Sequence, residues 1–66
     1  MKIFGERIKG ERKLKGWSQV YLAGLLHVEQ KTISHWGLGR RQPSFEMVIK
    51  IAEVLGCDIN FLFGFN

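Results

Sequence analysis

The chain has 66 residues, enough for one small core, and its balance of 45% apolar to 24% charged residues argues against disorder. Ten Lys and Arg against six Asp and Glu leave a net charge of +4, which suits a polyanionic partner without naming one. The lone Cys57 excludes an internal disulfide and a cysteine-based zinc site, and no run approaches the roughly 20 apolar residues that span a bilayer. The N-terminal MKIFGERIKG is broken by charge every few residues, unlike a signal peptide, so a cytoplasmic protein is expected.

Taken in order, the chain predicts five helices. The first spans about residues 2–15. Phe4 and Ile8 lie four apart, Leu14 sits near the end, Lys13 and Lys15 complement the helix dipole, and Gly16 is a natural stop. Gly5 and Gly10 weaken this helix, each costing about 1 kcal/mol relative to Ala in a helix interior. Trp17 is placed to plug the corner that follows. The second helix covers about 19–26, with Ser18 as its N-cap and Leu22, Ala23 and Leu26 on one side. Ala23 is small enough for another helix to cross closely, and His27 and Val28 leave room only for a turn. The third helix covers about 29–36. Its packing side carries Ile33 and Trp36, and Gln30, Lys31, Ser34 and His35 project from the opposite side. Gly37 and Gly39 end it, and Arg40, Arg41, Gln42 and Pro43 form a basic loop. Ser44 caps a fourth helix over about 45–55, whose apolar stripe is Phe45, Val48, Ile49, Ala52 and Leu55, with Gly56 as its stop. Cys57 reads as a small buried thiol, and Asp58 caps a short fifth helix over about 59–63. The expectation is an all-α, five-helix domain filling residues 1–66.

Catalysis finds no support in this pattern. The carboxylates Glu6, Glu11, Glu29, Glu46, Glu53 and Asp58 form no close motif with a histidine or with Cys57, and His27 and His35 should face different ways. There is no nucleophile–base pair, no glycine loop that cradles phosphate and no metal-ligand set, so neither an enzyme nor a cofactor is expected.

The stretch Ser18–Arg41 carries more information. Two short helices joined by a tight turn, one face built to pack and the other polar, are the layout of a DNA-reading helix-turn-helix. Gln19, Leu22, Ala23, Val28, Thr32-Ile33-Ser34, Trp36, Gly39 and Pro43-Ser44 together resemble the lambda-repressor-like (Cro/repressor, Xre-type) family of DNA-binding domains, over about Phe4 to Gly64. The resemblance implies that the third helix enters the major groove, with Gln30, Lys31 and His35 as the main base readers and Ser34 as a minor one. The chemistry agrees: Gln30 can pair bidentately with adenine, and Lys31 can donate to guanine O6 and N7. Gln19, Thr32, Arg40 and Arg41 are the expected contacts to the DNA backbone, whereas Lys9, Lys13 and Lys15 read as surface charge. Three positions depart from the family pattern. Glu11 stands where an apolar residue is usual, His27 stands where glycine is common, and Gly37 stands where a glutamate pairs with the arginine at the position of Arg12. Arg12 is therefore expected to find another carboxylate or to turn to solvent or a DNA phosphate, since a buried unpaired charge is costly.

Two-fold dimers read two half-sites about 34 Å apart. The tail FLFGF supplies the expected dimer contacts, Phe61, Phe63 and Phe65, with Leu62 in the core. Within these 66 residues no sensor or catalytic domain is expected. The reading is a small transcriptional repressor on a two-fold-symmetric double-stranded operator, of the phage repressor, Cro or restriction–modification controller type. The alternatives are an antitoxin or other protein-interaction role with autoregulatory DNA binding, a toxin then being a second partner, and the DNA-binding fragment of a longer regulator.

Overall fold

The computed structural model describes residues 2–65. Among them are five helices and no strand: α1 (Lys2–Leu14), α2 (Gln19–Leu26), α3 (Gln30–Gly37), α4 (Phe45–Leu55) and α5 (Ile59–Leu62). The expected order holds, with ends displaced by one residue. Glu29 serves as the N-cap of α3 without a side-chain bond, so the helix begins one residue late and carries Gly37 as its last residue. The other caps are made as expected. Ser18 Oγ accepts from the Tyr21 N–H at 3.0 Å, Ser44 Oγ from Met47 at 3.2 Å and an Asp58 carboxylate oxygen from Asn60 at 2.7 Å, each bond satisfying an otherwise orphaned amide. His27 occupies the left-handed region at φ 58°, and the N–H groups of His27 and Val28 return to the carbonyls of Gly24 and Ala23. This is the geometry that closes a helix and reverses the chain, adopted here by a residue type that tolerates it.

The core draws on every helix. Phe4 and Ile8 come from α1, Leu22, Ala23 and Leu26 from α2, Ile33 and Trp36 from α3, Val48, Ile51, Ala52 and Leu55 from α4, and Leu62 from α5. Trp17 and Val28 pack against it half-buried. Three apolar expectations fail. Leu14 is 81% exposed, because α1 ends there and the chain turns away at Gly16. On α4, Phe45 and Ile49 are exposed and Ile51 is fully buried. The sets 45, 48, 49, 52 and 48, 51, 52, 55 fit the helical period equally well; packing against α2 and α5 selects the second. Cys57 is half-buried rather than buried, and desolvation by its surroundings, with help from Glu11, raises its thiol pKa above the ordinary value.

Arg12 also departs from expectation. It is 8% exposed, and its Nη1 donates to the Trp17 carbonyl at 2.6 Å rather than to a carboxylate. The chain that follows α1 folds back over the guanidinium and supplies a backbone acceptor in place of an anion. In the tail, Phe61 and Phe63 turn inward. The Phe63 ring stacks on Phe4 with centroids 5.2 Å apart, and Phe65 stacks on Phe63 at 6.1 Å. The Arg7 guanidinium lies 4.3 Å above the Phe61 ring and donates to its carbonyl at 3.1 Å. Two of the three expected dimer aromatics are thus engaged within the chain, and Phe65 is left 76% exposed.

The two interior glycines of α1 turn out to be unlike. A Cβ at Gly5 would overlap the Trp36 carbonyl oxygen, so α1 and α3 cross backbone to backbone there. A Cβ at Gly10 would meet nothing within 4 Å. Gly5→Ala is expected to destabilise by about 1–3 kcal/mol or more through overpacking, and Gly10→Ala to stabilise by about 1 kcal/mol through helix propensity. Urea unfolding of both variants checks the pair, and equal effects would refute the assignment. The raised thiol pKa predicts that Cys57 alkylates slowly at neutral pH. The rate should climb only above the range of a free thiol, and a thiol of ordinary reactivity at pH 7 would contradict the burial.

Candidate nucleic-acid interface

The helix pair α2–α3 presents the polar face that the sequence predicts. Ala23, 4% exposed, lets α3 approach α2, and the left-handed His27 sets the angle between them. Gln19 stands at the first position of α2 and Gln30 at the first position of α3. Their amides meet: Gln30 Nε2 donates to Gln19 Oε1 at 3.0 Å. This bond ties the two helix starts together and fixes the Gln30 amide plane. Gln30 keeps its own oxygen and one N–H free, the acceptor–donor pair that an adenine edge requires. Neither glutamine is therefore an independent contact; Gln19 braces Gln30 besides standing near the N-terminus of α2.

The four expected base readers divide. Gln30 and Lys31 are exposed, and Ser34 and His35 are half-buried on opposite flanks of α3. His35 follows Lys31 by one turn. Both line an open cleft of about 520 Å³ between α3 and the loop to α4, together with Thr32, Arg41 and Ser44. Ser34 turns the other way, into a smaller cavity against α1 that Gln19 and Lys9 also line. Thr32, expected at the DNA backbone, thus lies half-buried beside His35 and Arg41 rather than with Gln19.

The basic loop is fixed at its start. Gly39 adopts φ +74°, and the Arg40 N–H then donates to the His35 carbonyl at 2.9 Å. Arg40 and Arg41, both exposed, are carried directly off the end of α3. Of the lysines read as surface charge, Lys15 lies 5.4 Å from the Trp17 ring centre, and Lys9 borders the cavity against α1. Sequence reasoning missed the Gln19–Gln30 pairing and the place of Lys9. The first had a signal in the sequence, namely two amides at the opening positions of successive helices. The second had none, because the cavity forms only when α1 and α3 pack.

Among the described residues, no three His, Cys, Asp or Glu side chains gather as a metal site, and no helix is long and apolar enough to cross a membrane. An arrangement of donors and cations around an exposed short helix is suited to binding a polyanion.

A family model described as Helix-turn-helix matches residues 8–62. The chain belongs to the helix-turn-helix family. Two helix-turn-helix relatives come from Bacillus subtilis (strain 168). The SPbeta prophage-derived uncharacterized HTH-type transcriptional regulator YonR is 32% identical over 60 residues, covering 91% of this chain and 56% of the relative. The HTH-type transcriptional regulator AnsR is 32% identical over 59 residues, covering 89% of this chain and 51% of the relative. The chain spans about half the length of these curated relatives. Among solved structures, the restriction-modification controller protein C.AhdI from Aeromonas hydrophila aligns with a TM-score of 0.85 and 31% identity over 94% of both chains.

The Gln19–Gln30 bond makes a measurable prediction within this family member. Gln19→Ala should release the Gln30 side-chain amide, moving and averaging its NMR signals, while stability changes by less than about 0.5 kcal/mol because the bond is exposed. Unchanged Gln30 amide signals would show that the bond is not formed in solution.

Proposed function

We propose that the protein is a transcriptional regulator that binds double-stranded DNA sequence-specifically, acts as a repressor on a two-fold-symmetric operator, and works in the cytoplasm. The observation that carries this reading is the braced amide and free cation at the start of α3, Gln30 and Lys31, standing beside the fixed basic loop of Arg40 and Arg41. In this reading α3 lies in the major groove. Gln30 and Lys31 read base edges, His35 reaches the edge of the same groove, and Ser34 contributes least because it faces α1. Gln19, Thr32, Arg40 and Arg41 hold the sugar–phosphate backbone and set the register of α3. The names of the relatives, all regulators or a controller, support the class of function.

The operator would be read by two copies, since one short helix reaches only a few base pairs. Phe65 is the tail residue left free to contact a second copy, with Phe61 and Phe63 contributing ring edges that remain half-exposed. Phe45 and Ile49, one turn apart on the outer face of α4, are a second exposed apolar pair. Sedimentation of Phe65→Ser and Phe45→Ser in parallel separates the two surfaces. The tail reading requires that only Phe65→Ser weaken self-association, and it fails if Phe45→Ser alone does so.

Selection from a random-sequence duplex pool at two salt concentrations tests the proposal as a whole. Recovery of a two-fold-symmetric site, with affinity falling steeply as salt rises, is the expected outcome. Lys31→Ala should then cost about 1–3 kcal/mol and relax specificity at a defined base pair. Arg40→Ala should weaken all sequences alike and lower the salt slope by about one. A pool that shows no enrichment would remove the sequence-specific reading.

A further inference from the structure

The cavity between α1 and α3 has a lining that DNA reading by α3 does not explain. Its volume is about 60 Å³, room for more than one water-sized group. Ile8, Ile33 and Leu38 give it apolar walls, and its polar side chains are Lys9, Arg12, Gln19 and Ser34. Arg12 is the one charged residue buried among the described residues, 8% exposed. One of its five N–H donors is taken by the Trp17 carbonyl. Among the described residues no buried side-chain nitrogen is sealed without a partner, so the other N–H groups of Arg12 keep access to solvent, and Arg12 itself lines the cavity. Gln19 Oε1 is occupied by Gln30, which leaves Gln19 with its N–H donors. Lys9 is a cation, and the Ser34 hydroxyl can donate. The lining includes no carboxylate. Beside Arg12, Gly37 leaves open space where a side chain would stand, a Cβ there meeting nothing within 4 Å.

We propose that this cavity binds a single oxyanion, with the Arg12 guanidinium as its charge partner and Lys9, Ser34 and the Gln19 amide as further donors. The physical reason is the buried charge. A guanidinium taken out of water and compensated by one carbonyl dipole retains most of its desolvation cost, and an anion at close range offsets it through charge-assisted hydrogen bonds. The apolar walls strengthen that attraction by lowering the local dielectric. Tetrahedral phosphate and planar carboxylate share the required chemistry, many acceptor oxygens around a negative charge. A phosphate can come from two sources, free in solution or from a DNA backbone lying against Gln19 at the start of α2.

The test is a titration of the whole chain, without DNA, by inorganic phosphate at constant ionic strength set with chloride. The NMR signals of Arg12 Nε–Hε and of the Ser34 and Gly37 amides should shift saturably with one site per chain. The unfolding midpoint should rise with the logarithm of phosphate concentration once the site is filled, by about 4–8 °C for each ~1 kcal/mol of stabilisation in a domain of this size. Gly37→Glu places a carboxylate in the open space beside Arg12. It should raise the midpoint without phosphate and abolish the saturable response, whereas Gly37→Ala, which changes only helix propensity, should keep that response. A second arm adds a duplex. Competition between phosphate and the duplex at constant ionic strength, present in the native chain and absent in Gly37→Glu, assigns the site to a DNA phosphate. Simultaneous binding assigns it to a free anion. NMR shifts that do not saturate, or a response that Gly37→Glu shares with the native chain, would overturn the proposal. Because the first arm contains no DNA, its outcome is independent of the proposed DNA reading.

Discussion

The contact on which this fold turns is the crossing of α1 over the end of α3, where Gly5 lies against the Trp36 carbonyl oxygen with no space for a methyl group. Close packing leaves no slack at such a point. With α1 seated there, Phe4 and Ile8 reach the core, Arg12 is carried under the corner at Trp17, and the Phe4 ring is placed for Phe63 to stack on. The helix-turn-helix alone is two eight-residue helices, too short to be stable by helix propensity. Its rigidity is borrowed from α1 on one side and from α4 on the other.

That arrangement explains why the polar face is at once simple and well ordered. The residues that face outward from α3 contribute little to folding, so their chemistry is free to serve recognition. Their positions, in contrast, are set by groups that fold the domain: the small Ala23 at the helix crossing, the left-handed His27 in the turn and the positive-φ Gly39 after α3. Gln19 joins the two roles, being a helix-start residue that also fixes the Gln30 amide. In the proposed reading, a substitution on the exposed face alters what is read, while one at these supports alters where the reader stands.

The buried arginine shows how a local departure is absorbed. Without a carboxylate at position 37, the guanidinium neither leaves the interior nor pairs with a neighbouring Glu; the chain after α1 bends so that the Trp17 carbonyl accepts from it. One dipole is a partial answer to a full charge, and a donor-lined cavity lies beside it. The aromatic tail behaves similarly. An apolar FLFGF segment has two outlets, another molecule or its own domain, and here α1 offers Phe4 and the Arg7 guanidinium as partners for Phe63 and Phe61.

Local chemistry made much of the chain readable from its sequence. Ser18, Ser44 and Asp58 start helices because their oxygens accept from nearby amides, and Gly16 and Gly56 stop them because they adopt positive φ, effects spanning at most a few residues. The alternation of Ile33 and Trp36 with Gln30, Lys31 and Ser34 likewise marked the packing and polar sides of α3. Tertiary structure decided whatever depended on a partner distant in the chain. It chose Ile51 over Phe45 and Ile49, since a helical stripe has two equivalent registers until α2 and α5 select one. It separated Gly5 from Gly10, identical by propensity and opposite in surroundings. It split Ser34 from His35 across the flanks of α3, joined Gln19 to Gln30 over eleven residues, and enclosed Arg12. Periodicity reports which side of a helix is apolar; only the packed neighbours determine what each side chain meets.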